Sequence, residues 1–134
     1  EKGFNFRKGL GIVPEDESTI STDGKDNTNF SDAGAEKYSS AFDTPVDELK
    51  ITQEIRQKAY DNYETQDDHG MHITGILKDQ NGTKYYIVKN SWGTKYNGLD
   101  GYFYASEAYV RYKTLNIYLH KEAIPKKIKK KIQW

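Results

Sequence analysis

The chain has 134 residues, and its 20 basic residues balance 20 acidic ones, so no global field favours nucleic acid or an anionic membrane as a partner. Only 35% of the residues are hydrophobic and none is cysteine, which excludes a disulfide framework and a thiolate metal site. No stretch approaches the ~20 apolar residues of a membrane span. We expect one domain or part of one.

The first segment, residues 1–44, is rich in turn-forming residues. Glycines recur through it, and the polar run STDGKDNTNFSD lies near its centre. This composition predicts a loop-rich segment. Leu10, Ile12 and Val13 are its candidate residues for a short strand or a β-bridge.

A helix is predicted over residues 45–66. Thr44 is suited to cap this helix, because Pro45 then stands at the first helical position. Thr52 offers a second start. The apolar residues that recur at intervals of four predict one buried stripe, formed by Ile51, Ile55 and Ala59.

The pattern changes to that of an antiparallel sheet between residues 68 and 120. MHITGIL and KYYIVKN are β-rich runs, and Asn81-Gly82 between them predicts a hairpin, since both residue types tolerate positive φ. GYFYA predicts a third strand and SEAYVRY a turn or short helix. TLNIYLH is predicted to be a fourth strand, with an apolar face formed by Leu115, Ile117 and Leu119. These elements together predict an α+β fold with an antiparallel barrel or sandwich.

The tail, residues 121–134, is basic. Its isoleucines at positions 124, 128 and 132 are four apart with lysines between them. This spacing predicts a terminal surface helix that is packed by its isoleucine stripe. A helix that binds a membrane surface or a partner is the alternative.

His69 and Asn90 are the candidate catalytic residues. His69 stands at the head of one predicted strand and Asn90 at the end of the next, so a hairpin can bring both to one edge of the sheet. A cysteine nucleophile needs an imidazolium to hold its thiolate, and an amide oxygen can orient that ring without adding a buried charge. Trp92 would shield the His–Asn bond from water. A surface histidine and a strand-capping asparagine are the alternative.

DHGM, KYYIVKNSWG and GYFYAS together resemble the C-terminal half of a papain-like cysteine peptidase, over roughly residues 51–120. The resemblance implies a papain-like half-domain spanning residues 1–134. His69 would then be the catalytic histidine, Asn90 its orienting residue and Trp92 the indole shield. Asp68 and Gly70 would contribute to substrate binding. No metal and no other cofactor is implied.

EKGFNFRKGLG, KDQNGTKYY and the Lys-rich ending are more closely similar to the bleomycin hydrolase/aminopeptidase C branch, including its bacterial members. This similarity implies an aminopeptidase that assembles as a homo-hexamer. Endopeptidase activity is also compatible with the catalytic residues.

The family's nucleophilic cysteine and oxyanion-hole glutamine lie on the other half of the domain. The expected partners are therefore that upstream, cysteine-bearing segment and a peptide substrate, and we expect the chain alone to be inactive. A non-catalytic homologue that serves as a peptide-binding or assembly module is the alternative. The chain opens on Glu1, so any targeting signal would lie upstream, and cytoplasmic, cell-envelope and secreted locations all stay open.

Overall fold

Five short strands form one mixed sheet in the computed structural model, which describes residues 3–20, 40–67 and 69–132. All neighbouring strands are antiparallel except β2 and β5, which are parallel. The order across the sheet is β1-β2-β5-β4-β3. The strands are β1 (Phe4–Asn5), β2 (Leu10–Gly11), β3 (His72–Lys78), β4 (Lys84–Lys89) and β5 (Tyr102–Ser106). The predicted α+β class is confirmed, with one parallel pair that the sequence did not predict.

The predicted hairpin joins β3 and β4. Its loop is closed by hydrogen bonds from Gly82 N to Asp79 O, 3.1 Å, and from Asp79 N to Thr83 O, 3.0 Å. Gly82 has a φ of +87°, whereas Asn81 is not left-handed, so only one residue of the pair uses the conformation that both tolerate. The register places the start of β3 beside the end of β4.

The helix predicted over residues 45–66 is shorter than expected. It is α1 (Gln53–Asp61), and Thr52 caps it by accepting from Ile55 N. The predicted start at Thr44 is wrong, because the backbone of residues 47–49 is hydrogen-bonded to residues 13–15 in an extended arrangement. A helix that begins at Thr44 would need the same backbone N–H and C=O groups for its own hydrogen bonds. The start at Thr52 is confirmed.

Helix α2 (Glu107–Lys113) follows β5 directly, where the sequence predicts a turn or short helix. Ser106 caps it, accepting from Tyr109 N over 3.0 Å. The fourth strand predicted in TLNIYLH is wrong, because residues 114–120 pair with none of the described strands. Strand β5 is central, with β2 on one side and β4 on the other, so no position beside it is free for the returning chain.

The tail forms a 3-10 turn at Lys121–Ala123 and a short helix, α3 (Lys126–Lys129). Ile128 and Ile132 are exposed, so the prediction of a packed isoleucine stripe is wrong: a four-residue helix is too short to lay a stripe on the sheet. None of the helices in the described ranges has the length and apolar character to cross a membrane.

An aromatic core connects the start of the chain to the sheet. Phe103 of β5 is fully buried, and its ring meets that of Phe4 edge to face, with centroids 5.0 Å apart. The other buried members of this cluster are Phe6, Val88, Ala105 and Tyr109. This cluster packs Phe4 of β1 together with Val88, near the end of β4.

Candidate active site

His69 and Asn90 are brought together by the hairpin. His69 lies shortly before β3 and Asn90 directly after β4, and the pairing of His72 with Lys89 aligns these two chain ends. The distance between His69 Nε2 and Asn90 Oδ1 is 2.9 Å. The structure thus places within hydrogen-bonding distance the two residues that the sequence singled out.

The backbone of Ser91 determines which way the Asn90 amide faces. Ser91 N–H donates to Asn90 Oδ1 over 2.7 Å, and since a backbone N–H can only donate, the atom that it meets is the amide oxygen. The same oxygen faces His69 Nε2, so Nε2 carries a hydrogen and donates it. In the neutral ring, Nδ1 then holds the lone pair and is the nitrogen left for a reacting group.

Asn90 is buried, with 3% of its surface exposed, whereas His69 is exposed. The backbone N–H of Asn90 donates to Gly101 O over 3.1 Å. Asn90 Nδ2 is also buried and meets no hydrogen-bond partner within the described ranges. The orienting group is therefore fixed within the fold, while the ring that it orients faces outward.

Trp92 covers one side of this pair. Its ring is stacked on the His69 imidazole at 5.7 Å between centroids and 27° between planes. Phe6 and Phe4 contact the indole edge to face, at 5.0 and 6.0 Å. Trp92 itself is 46% exposed, and its role in shielding the His–Asn bond from water stays a prediction.

Phe4 and Phe6 are supporting residues that the sequence reasoning missed. They stand two apart in GFNF, and residues two apart lie on the same face of a strand. That alternation was a usable signal. Without a known partner for β1, it could not show that the phenyl rings lie against Trp92.

The loop between Asn90 and β5 is held by two further residues that were missed. Lys89 Nζ donates to Asp100 O and lies 4.4 Å from the centroid of the Tyr102 ring. Asn97 accepts from Gly101 N over 2.9 Å and donates to Tyr102 O over 2.6 Å. These contacts close the loop that begins with Trp92. Lys89 and Asn97 both contact residues nearby in the sequence. They were not predicted because the conformation of this loop does not correspond to a recognised sequence motif.

Gly101 is required by this loop. Its φ is +80°, and a Cβ at this position would lie 2.4 Å from the carbonyl oxygen of Gly93. Any side chain would therefore push the loop apart.

Of the two predicted substrate-binding residues, Asp68 lies outside the described residues. Gly70 is exposed beside His69, and a Cβ there would meet no atom within 4 Å. The space next to the imidazole is open at this point. The role of Gly70 in a substrate subsite stays a prediction.

Metal-binding clusters were also sought. In the part of the chain that the structure describes, no three His, Cys, Asp or Glu side chains are grouped so that they could hold a metal ion. His72 is exposed at the start of β3.

A carboxyl group with a raised pKa lies at the other end of the sheet. Burial raises the pKa of Glu48, although its Oε1 accepts hydrogen bonds from Val13 N at 2.7 Å and from Ser106 Oγ at 2.6 Å. Ser106 pairs with Tyr85, at the end of β4 remote from Asn90. Glu48 therefore joins residues 13 and 106 and has no contact with the His–Asn pair.

Known proteins similar to this chain are cysteine peptidases. A family model described as "Peptidase C1-like family" matches residues 20–134. Aminopeptidase C of Listeria innocua is 37% identical over 60 residues, which are 45% of this chain and 13% of that protein. Thiol protease SEN102 of Hemerocallis is 53% identical over 38 residues, 28% of this chain and 10% of that protein. Senescence-specific cysteine protease SAG12 of Arabidopsis thaliana is 51% identical over 35 residues, 26% of this chain and 10% of that protein. The chain thus matches only about a tenth of the length of these curated relatives.

Proposed function

Because the chain belongs to the Peptidase C1-like family, we propose that it supplies the histidine and asparagine of a Cys-His-Asn triad in a cysteine peptidase. The observation that carries the proposal is the 2.9 Å hydrogen bond from His69 Nε2 to Asn90 Oδ1, which leaves His69 Nδ1 free. The stacked indole of Trp92 supports it, since it limits the access of water to that bond.

In the proposed reaction, His69 Nδ1 takes the proton of a cysteine thiol. The resulting thiolate attacks the carbonyl carbon of the scissile peptide bond, and the imidazolium then gives its proton to the leaving amine. The acyl group stays on the sulfur as a thioester. A water molecule that loses its proton to His69 Nδ1 attacks the thioester, which releases the acid and restores the thiol.

Asn90 exchanges no proton in this sequence of steps. Its oxygen accepts from the far nitrogen of the ring and keeps Nδ1 aimed at the reacting atoms. A neutral amide suits a residue that is 97% buried, because the thiolate and the imidazolium already balance each other. A carboxylate in its place would add an unpaired buried charge.

The sequence contains no cysteine, so we propose that a cysteine-bearing part of the same protein, including an oxyanion-hole glutamine, completes the site. The chain by itself would then be inactive. Exposed apolar side chains on β3, Ile73 at 44% and Ile76 at 64%, support a surface that another part of the protein covers.

The test is a comparison of His69→Ala with His72→Ala in the full-length protein. Loss of the general acid and base should lower kcat/KM by on the order of 10²- to 10⁴-fold. His72→Ala is the matched control, because His72 is exposed, lies three residues away and forms no hydrogen bond with His69 or Asn90. Retained turnover in His69→Ala would overturn the proposal.

Labelling with an iodoacetamide or epoxide probe tests the proposed catalytic role of His69 independently. We expect rapid modification of one cysteine in the unchanged protein and much slower modification in His69→Ala, because the imidazolium no longer holds the thiolate. An unchanged protein that neither turns over peptides nor takes up the probe would instead be a non-catalytic peptide-binding or assembly module.

We further propose the aminopeptidase mode and a homo-hexameric assembly. The identity with Aminopeptidase C, over 45% of the chain, supports the first of these. Hydrolysis of aminoacyl substrates with a free amino terminus should exceed that of the same substrates after acetylation. Light scattering of the full-length protein measures the assembly. Equal hydrolysis of blocked and free substrates would identify an endopeptidase.

A further inference from the structure

The basic tail carries a concentrated positive charge that the proposed function does not use. Residues 126–132, called here the KKIKKKI segment, contain five lysines and no acidic residue. The ammonium groups of these lysines form no hydrogen bond or ion pair with any described residue. Charges are screened beyond about 8 Å at physiological ionic strength. This local charge therefore acts on a nearby surface although the chain as a whole is neutral.

The KKIKKKI segment is already helical. Helical hydrogen bonds extend past the end of α3, since Lys130 N donates to Lys126 O over 3.1 Å and Ile132 N donates to Ile128 O over 3.2 Å. Ile128 and Ile132 are four apart, so their side chains lie on one face of this helical turn. Both are exposed, at 49% and 44%.

The five lysines occupy the rest of the helix circumference. At 3.6 residues per turn, each lysine is at least about 80° around the helix from the centre of the isoleucine face. Lys129 and Lys131 flank that face, so their aliphatic stems can lie beside the isoleucines while their ammonium groups extend away from them. An apolar face that is bordered and backed by lysines is typical of a helix that lies in the plane of a membrane interface.

The tail is not fastened to the sheet through its backbone. Within the described ranges, every hydrogen bond that the tail makes joins two residues between 120 and 132. Four of the five lysines are exposed, and Lys129 is partly exposed. The isoleucine face and the lysines beside it are therefore accessible together to a surface that approaches the tail.

The combination of charge and apolar surface distinguishes between anionic partners. A nucleic acid offers phosphates to the lysines, but its backbone offers no apolar layer to the isoleucines. A bilayer with anionic lipids offers charged headgroups at its surface and acyl chains directly beneath them. Clusters of about four to eight basic residues on an amphipathic helix are typical of proteins that bind such a bilayer. The exposed isoleucines thus favour the membrane over the nucleic acid.

We propose that the KKIKKKI segment binds the surface of a membrane that contains anionic lipids. The lysines contact the headgroups, and Ile128 and Ile132 insert at the boundary between the headgroups and the acyl chains. The segment is short and has only two isoleucines, so the association is reversible rather than a permanent anchor. The inference is independent of the proposed catalytic role, because no contact in it involves His69 or Asn90.

Sedimentation of the full-length protein with lipid vesicles tests the proposal. We expect binding to phosphatidylcholine vesicles that contain about a third phosphatidylserine, and little binding to phosphatidylcholine alone. Binding should weaken strongly as salt is raised to about 1 M, where the Debye length falls to about 3 Å. Equal binding to the two kinds of vesicle would overturn the proposal, and so would a lack of binding to both.

A pair of lysine substitutions tests whether the charge of the segment is responsible. Lys127→Gln combined with Lys130→Gln should weaken binding to the anionic vesicles about 25-fold, since each lysine near such a surface contributes about fivefold. Lys50→Gln combined with Lys58→Gln is the matched control, because it removes the same charge from exposed positions outside the tail. Equal effects of the two pairs would show that net charge alone governs binding and would overturn the proposal.

A pair of isoleucine substitutions tests the apolar face. Ile128→Gln combined with Ile132→Gln should weaken vesicle binding by about 10- to 30-fold, because each side chain is about half exposed before it inserts. Binding to a DNA duplex is measured in parallel. Tighter binding to the duplex than to the vesicles, unaffected by the isoleucine pair, would identify a nucleic-acid-binding segment and overturn the proposal. All three pairs replace exposed or half-exposed side chains, so the melting temperature should stay unchanged.

Discussion

Asn90→Ala in the full-length protein removes the acceptor that orients His69. The lost bond is 2.9 Å long and, in the proposed reaction, joins the amide oxygen to a charged ring. A hydrogen bond to a charged group contributes about 1.5–3 kcal/mol, which corresponds to a roughly 10- to 160-fold fall in kcat/KM. Ser91 N–H loses its acceptor as well, which should lower the free energy of unfolding by about 1 kcal/mol.

The assay is kcat/KM for a fluorogenic peptide measured across pH, together with thermal unfolding of each variant. Asn62→Ala is the matched control, because the Asn62 side chain accepts from Glu64 N after α1 and does not contact His69. Asn90→Asp keeps the acceptor and adds a negative charge, which stabilises the imidazolium. For this variant, the alkaline limb of the kcat/KM profile should therefore move to higher pH.

The result that refutes the orienting role is a fall in kcat/KM for Asn90→Ala no larger than that for Asn62→Ala. A fall that tracks only the loss of thermal stability would also count against it, since a purely structural asparagine would behave in that way. An Asn90→Asp profile superimposable on that of the unchanged protein would contradict the bond to Nε2.

Trp92→Ala should lower kcat/KM by about 2- to 10-fold through loss of an aromatic contact of ~0.5–1.5 kcal/mol, and an unchanged value would show that the indole does not protect His69. Burial raises the pKa of Glu48 above its ordinary 4.5, so the contribution of this group to stability is complete below about pH 4.5 and is lost as pH rises through the folded-state pKa. In urea unfolding measured at several pH values, Glu48→Gln should not show this loss of stability with rising pH. The same dependence of the unfolding free energy on pH in both proteins would contradict the raised pKa of Glu48. Gly101→Ala should lower the free energy of unfolding by more than about 1 kcal/mol, since its φ is +80°, whereas Gly98→Ala meets open space and serves as the control. Equal melting temperatures for these two variants would refute the strain at Gly101.

The elements that depend on local signals were predictable. Asn81-Gly82 indicated the hairpin because a glycine at its end supplies the left-handed residue that the loop needs. Strand β5 followed from its β-rich composition. These signals act within a few residues, so they are readable without knowing the rest of the fold.

The elements that depend on contacts between distant parts of the sequence could not be predicted. Thr44 and Thr52 are comparable caps in sequence, and hydrogen bonds between residues 47–49 and residues 13–15 exclude a helix that begins at Thr44. The parallel pairing of β2 with β5 joins segments about ninety residues apart. The predicted fourth strand pairs with none of the described strands, and both sides of β5, the strand that precedes it in the chain, are occupied by β2 and β4.

For the candidate site, the sequence alone singled out the two residues that the structure brings together. His69 and Asn90 flank a hairpin whose turn signal is local, so their proximity could be inferred. Only the tertiary structure decided which ring nitrogen bonds Asn90 and which stays free, because that depends on the amide orientation set by Ser91 N–H. It also decided that Phe6 supports the indole over His69, since β1 reaches Trp92 only through the packing of the aromatic core.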